Sequence, residues 1–234
     1  MLTANPYPAA LTETTFAPAA RLQQSFVADA EKRALLWLAH RTPASINSDH
    51  LTLLGFLAQC LAGVCYVLAR WNRYALLLGI LFLALNWLGD SLDGTLARVR
   101  NRQRPRYGFY VDHISDSVAA LFLMTGLALS GYLHPGIAFG MLIAFLLLSI
   151  EAYLATYTLG LFQMSYWKFG PTEIRILLAA GNLALLQHSV IKLAGQHFRL
   201  LDLGGVIAIA GMTVMLLASI FRHTRRLYRE ERLA

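Results

Sequence analysis

Four aspartates at helical spacing stand out from an otherwise apolar chain. Asp90 and Asp93 are three residues apart and share a face if the segment is helical; Gly94 and Ala97 continue that face with almost no side chain. Asp112 and Asp116, four apart, share a face of the next predicted helix, with Gly108 one turn earlier. Two antiparallel helices joined by a short connection bring all four carboxylates together. Such groups repel one another, and Asp at membrane depth is costly without a compensating charge. Divalent cations supply that compensation. All-oxygen ligation suits Mg²⁺, Mn²⁺ or Ca²⁺, and no cysteine lies nearby to favour a thiolate zinc site. Two such ions on a diphosphate neutralise its charge, align an attacking oxygen and stabilise the leaving one. Gly94 and Ala97 leave room for a bulky ligand, and Arg98 is placed to meet phosphate.

The elements that position these residues are membrane spans. Hydrophobic residues make up 57% of the 234 and charged residues 14%, against about 25% charged in a soluble domain. Apolar runs at 51–70, 74–97, 108–133, 135–161, 172–194 and 200–221 predict six spans, each near the roughly 20 residues that cross a bilayer core. The fold class expected is therefore all-α, a polytopic bundle of six transmembrane helices. The net charge of +7 comes from Arg and Lys set mostly at span ends. Membrane orientation and anionic headgroups explain that placement, not nucleic acid. Arg98, Arg100, Arg102, Arg104 and Arg106 mark the connection between the second and third spans as cytoplasmic, and the Arg-rich C-terminus falls on the same side, as does the N-terminus.

Residues 1–25 read as a flexible tail rich in Ala, Thr and Pro, without the pattern of a secretory signal. Residues 26–43, ending at Pro43, predict an amphipathic helix lying in the cytoplasmic interface, the alternative being a helix packed on the bundle. Residues 44–222 form the membrane domain and 223–234 a basic cytoplasmic tail. Cys60 and Cys65 fall on different faces of one helix and read as packing residues.

The central stretch resembles the signature of the CDP-alcohol phosphotransferase family: D-x2-D-G-x2-A-R, about eight residues, then G-x3-D-x3-D. Asp90, Asp93, Gly94, Ala97, Arg98, Gly108, Asp112 and Asp116 fill every specified position, with nine residues rather than eight in the gap. The resemblance covers residues 28–222. It implies transfer of a substituted phosphate from a CDP-linked donor, usually CDP-diacylglycerol, to the hydroxyl of a polar alcohol, with release of CMP. It implies two Mg²⁺ or Mn²⁺ ions held by Asp90, Asp93, Asp112 and Asp116, with Asp116 also the general base. Gly94, Ala97, Arg98 and Gly108 belong to the CDP side. So does Thr52, kept where the family often has Pro-Asn-x-x-Thr; here Ser48 and Asp49 replace Pro and Asn. A homodimer in a bacterial cytoplasmic membrane is also implied. The alternatives are a CDP-choline- or CDP-ethanolamine-type enzyme acting on diacylglycerol and, from another class, a cation-binding transporter.

Other residues keep two readings. Ser48 or Asp49 caps the first span or touches nucleotide. Lys168, Glu173 and Arg175 hold an acceptor or form ion pairs. Glu151 is a functional intramembrane acid or a hydrogen-bond partner of Tyr or Ser. His113 faces away from the acids and reads as structural. Tyr153, Tyr157, Tyr166 and Trp167 read as packing and interfacial residues.

Overall fold

A computed structural model describes residues 20–22, 28–163, 170–193 and 195–232. Phe26, Tyr166, Trp167, Lys168 and most of the expected N-terminal tail lie outside the described residues. Seven helices appear among those described: α1 Ala28–Arg41, α2 Ser48–Ala69, α3 Ala75–Val99, α4 Pro105–Leu129, α5 Pro135–Leu159, α6 Pro171–Gln187 and α7 Leu200–Glu230. Two short strand pairs join them: β1 Ala20–Leu22 parallel to β2 Leu161–Gln163, and β3 Val190–Leu193 antiparallel to β4 Gln196–Arg199.

Local sequence sets these boundaries. Pro105, Pro135 and Pro171 open α4, α5 and α6, where a missing N–H costs nothing. α2 is capped by Asn47, whose side chain accepts from His50 N at 3.0 Å while the His50 ring accepts from Asn47 N. The cap is thus one residue earlier than Ser48 and two earlier than Asp49. α3 closes at Asn101, which takes the left-handed conformation at φ 51°. Asn101 N then reaches the Arg98 carbonyl and Arg102 N the Ala97 carbonyl, both at the helix's last turn.

Among the described residues, four helices are long and apolar enough to cross a membrane: α2, α3, α5 and α7. α4 has 25 residues, but Arg106, Asp112, His113 and Asp116 dilute its first half. α6 departs further from expectation. It has 17 residues, about 25 Å of helix, and ends at Gln187 rather than near 194. The β-branched Val190 and Ile191 enter a hairpin that turns at Gly195, φ 83°. α7 runs unbroken through 222 to Glu230, so residues 223–230 are helical.

α2 is the central strut. A Cβ on Gly89 would lie 2.5 Å from Gly55 N, and one on Gly126 would lie 2.1 Å from the Gly63 carbonyl oxygen. α3 and α4 therefore press backbone to backbone on α2, possible only with glycine at the crossings. The core continues outward through Tyr66, Leu76, Leu127 and Leu185, and the Tyr66 hydroxyl donates to buried Asn182 of α6 at 3.0 Å. α1 packs on the bundle: Leu35 and Ala39 bury against Leu92 and Leu96 of α3 and Leu51 of α2, while Trp37 remains exposed. Arg100 fastens the far end of α1 by donating to the carbonyls of Thr42, Pro43 and Ile46.

Candidate active site

The Gly55–Gly89 crossing places α2 backbone directly behind Asp90; a Cβ on Gly55 would lie 3.2 Å from Asp90 N. From there α3 presents Asp90, Asp93, Gly94 and Ala97 on successive turns, while its back, Leu92 and Leu96, is held by α1. α4 brings Asp112 and Asp116 to the same crevice. One oxygen each from Asp90, Asp112 and Asp116 lies within 4.8 Å of the others. Asp93, Thr52 and Asn86 line the same space, which holds about 10 Å³, roughly the size of one water or a small cation.

The acids have different neighbours. Asp93 Oδ2 accepts from the Thr52 hydroxyl at 2.6 Å, and its Oδ1 accepts from Gly94 N. Thr52 is thereby tied to an acid as well as to the Ser48 carbonyl, 3.0 Å away. The Ser48 hydroxyl in turn donates to the Asp93 carbonyl at 2.9 Å. Asp90 Oδ2 is ion-paired with Arg175 Nη2 at 2.6 Å, and Arg175 Nε donates to Asn86 Oδ1 at 2.7 Å. Asn86 Nδ2 donates onward to the Gly55 carbonyl at 3.0 Å, joining α2, α3 and α6 beside Asp90.

Arg175 therefore forms an ion pair with an acid of the central cluster, one of the two readings the sequence left open for it. Asn86 was not singled out, although a buried amide one turn before Asp90 in an apolar helix is the signal that could have found it. Arg98 is exposed; its guanidinium lies over Gly94 and donates to Thr95 Oγ1 at 3.0 Å. Gly108 has open space around it. Asp49 pairs with Arg104, which also stacks 4.2 Å over Tyr107. His113 stacks on Tyr153 of α5 with ring centroids 5.0 Å apart. Glu173 caps α6, accepting from Gly170 N at 2.9 Å. Glu151 pairs with His223 of α7 at 2.6 Å, away from the crevice.

The crevice suits divalent cations. It gathers four carboxylates, and the cations found against them are the Arg175 guanidinium and, when protonated, the His113 imidazole 3.4 Å from Asp112. Among the described residues the acids outnumber these two cations, and the donors are oxygens of the kind Mg²⁺ and Mn²⁺ prefer.

Comparison with known proteins agrees with this reading. The sequence model of the CDP-alcohol phosphatidyltransferase family matches residues 46–221. Cholinephosphotransferase 1 of Gallus gallus is 27% identical over 150 residues, a match covering 61% of this chain and 44% of the relative. The chain thus spans less than half the length of the curated relative it matches. The family match includes every residue from the Asn47 cap to the start of the α7 Arg run, and on that ground the chain belongs to the CDP-alcohol phosphatidyltransferase family.

Proposed function

We propose that the chain transfers a substituted phosphate from a CDP-linked donor to an alcohol hydroxyl, releasing CMP. The observation that carries this is the convergence of Asp90, Asp112 and Asp116 within 4.8 Å, on the matched signature. In this reading Asp90, Asp93, Asp112 and Asp116 hold two Mg²⁺ or Mn²⁺ ions. When bound, these neutralise the diphosphate and the leaving CMP. Asp116 takes the proton of the acceptor hydroxyl as its oxygen bonds to phosphorus and the bond to CMP breaks. Thr52, held on Asp93, and the small face of Gly94 and Ala97 receive the nucleotide, with Arg98 and Gly108 at its open edge. CDP-diacylglycerol is the donor and a polar alcohol the acceptor. The likeness to a cholinephosphotransferase favours a second reading, CDP-choline or CDP-ethanolamine as donor and diacylglycerol as acceptor.

The same reading places α2–α7 as six crossings of a bacterial cytoplasmic membrane, α6 being a short one. α1 lies along the cytoplasmic interface, with the termini and crevice on that side. The Arg residues from Arg98 to Arg106 support this orientation, and a homodimer is carried over from the family alone. A cation transporter is not favoured, because the acids gather at one end of α3 and α4 and do not line a path. The test is CMP release by purified full chain with Mg²⁺ or Mn²⁺. One arm pairs CDP-diacylglycerol with a panel of alcohols and the other pairs CDP-choline with diacylglycerol. Release in one arm chooses the donor; none in either, from folded protein, overturns the proposal.

A further inference from the structure

α1 precedes the residues matched by the family, yet it touches the helix that carries the acids. Its inward stripe is Glu31, Leu35 and Ala39, spaced four apart. The two apolar members bury against the back of α3. Glu31 does something else. Its Oε1 accepts three hydrogen bonds: from Trp87 Nε1 at 2.7 Å, Ser91 Oγ at 3.2 Å and Thr172 Oγ1 at 2.8 Å. Trp87 and Ser91 flank Asp90 on α3. Thr172 lies in the first turn of α6, three residues before Arg175.

α3 and α6 are therefore joined beside Asp90 by two polar links. One is Arg175 on Asp90 and Asn86; the other is Glu31, bridging Thr172 to Trp87 and Ser91. A carboxylate is suited to the bridge because one oxygen receives donors from both helices at once. Without it, two hydroxyls and an indole N–H lose a shared acceptor, and the start of α6 loses its tie to α3. The reach of Arg175 to Asp90 follows from that tie.

We propose that Glu31 is a positioning residue for the acid crevice, holding the start of α6 so that Arg175 meets Asp90. The metal readout rests on the function proposed above; the distance readout does not. For the distance, spin labels replace the exposed Leu81 of α3 and Leu177 of α6 in full-length protein carrying Cys60→Ala and Cys65→Ala. Glu31→Ala and Thr172→Val broaden the α3–α6 distance distribution. Glu31→Gln, whose amide oxygen still accepts, keeps it narrow. Unchanged widths in both Glu31→Ala and Thr172→Val overturn the proposal. Glu31→Gln as broad as Glu31→Ala overturns it too. Thr172→Val reads the link if Glu31→Ala does not fold.

The second measurement is Mn²⁺ affinity of the same protein without labels. Arg175→Gln removes a positive charge beside an oxygen of the crevice and tightens Mn²⁺ about tenfold. Glu31→Ala, by loosening Arg175, tightens it about threefold and adds nothing in the double variant with Arg175→Gln. Additive shifts in the double variant overturn action through Arg175. Wild type that binds no Mn²⁺ overturns the metal reading and leaves the distance result to decide the role of Glu31.

Discussion

Two regions of this bundle hold carboxylates inside helices, and they solve the problem in opposite ways. Glu151 of α5 meets His223 of α7 at 2.6 Å, and their side chains are 10% and 20% exposed. The crevice between α3 and α4 instead collects Asp90, Asp93, Asp112 and Asp116, with Arg175 on the first of them. A single acid inside the bundle can be matched by partners within the protein. An acid cluster in excess of its partners must shed charge, by taking up protons or by binding a cation. The backbone tells the same story. Behind Asp90, α2 and α3 touch glycine to glycine at Gly55–Gly89, and α2 meets α4 the same way further along at Gly63–Gly126; on α7, Gly204 and Gly211 face open space while Gly205 packs on Ile137.

The strongest way to break this contrast is to neutralise one member of each group. Asp116→Asn and Asp93→Asn should each lower CMP release by about a thousandfold or more, at the scale of losing a transition-state interaction of several kcal/mol. The proteins should stay folded, since the crevice loses a repulsive charge. Turnover retained in either variant removes that residue from the mechanism. Chelation sharpens the same point. Treatment with EDTA should abolish turnover, and Mg²⁺ or Mn²⁺ should restore it. Saturating Mn²⁺ should also raise the wild-type melting temperature, a binding energy of about 3 kcal/mol at a hundredfold excess over Kd. Asp112→Asn should show little of that shift.

The Glu151–His223 pair should answer differently. His223→Ala leaves a half-paired acid between α5 and α7 and should cost about 3 kcal/mol of stability. Removing both partners should cost less than the sum of the single losses, because neither group is then stranded. Denaturant melts of the two singles and the double close that cycle, and additive losses would deny the pair its role.

How far the sequence could go is visible in the same two regions. The acids were legible because helical spacing of three and four depends only on neighbours along the chain, and the family signature sits on those spacings. The partners were not legible. Arg175 lies 85 residues from Asp90 and His223 lies 72 from Glu151, so each pairing depends on where separate helices pack. The capping residue was missed by one position because Asn47, Ser48 and Asp49 are all good caps, and helix boundaries carry that uncertainty. α6 was drawn too long because Val190 to Leu193 are apolar enough to extend a span but enter a hairpin instead. α1 was read as an amphipathic helix in the interface or packed on the bundle; it packs on α3 through Leu35, Leu38 and Ala39, and its further contact there is Glu31, a carboxylate that hydropathy assigns to solvent.

Glycine substitutions extend the comparison to packing. Gly89→Ala puts a Cβ 2.5 Å from Gly55 N and the Leu51 carbonyl oxygen, where backbone must move, and should cost about 1–3 kcal/mol. Gly204→Ala, with nothing within 4 Å and ordinary helical backbone, should stabilise by up to about 1 kcal/mol. Thermal melts of the pair check both signs; equal effects would remove the claim that the acid-bearing half is the tightly crossed one.

The smallest effect should come from Asp49→Asn. Asp49 and Arg104 form an ion pair with side chains 45% and 52% exposed, where solvent screens the attraction and such pairs contribute about 0–1 kcal/mol. Stability should therefore change by less than about 1 kcal/mol, a shift that denaturant melts place within the noise of the larger variants. Turnover is the more informative measurement. Asparagine regains the N–H donor that aspartate lacks, at the position where the family often carries asparagine. It also weakens the hold on Arg104. If this residue touches the nucleotide, KM for the CDP-linked donor should fall while kcat holds. If Asp49 serves only as the partner of Arg104, both constants stay put, and the nucleotide contacts of α2 reduce to Thr52.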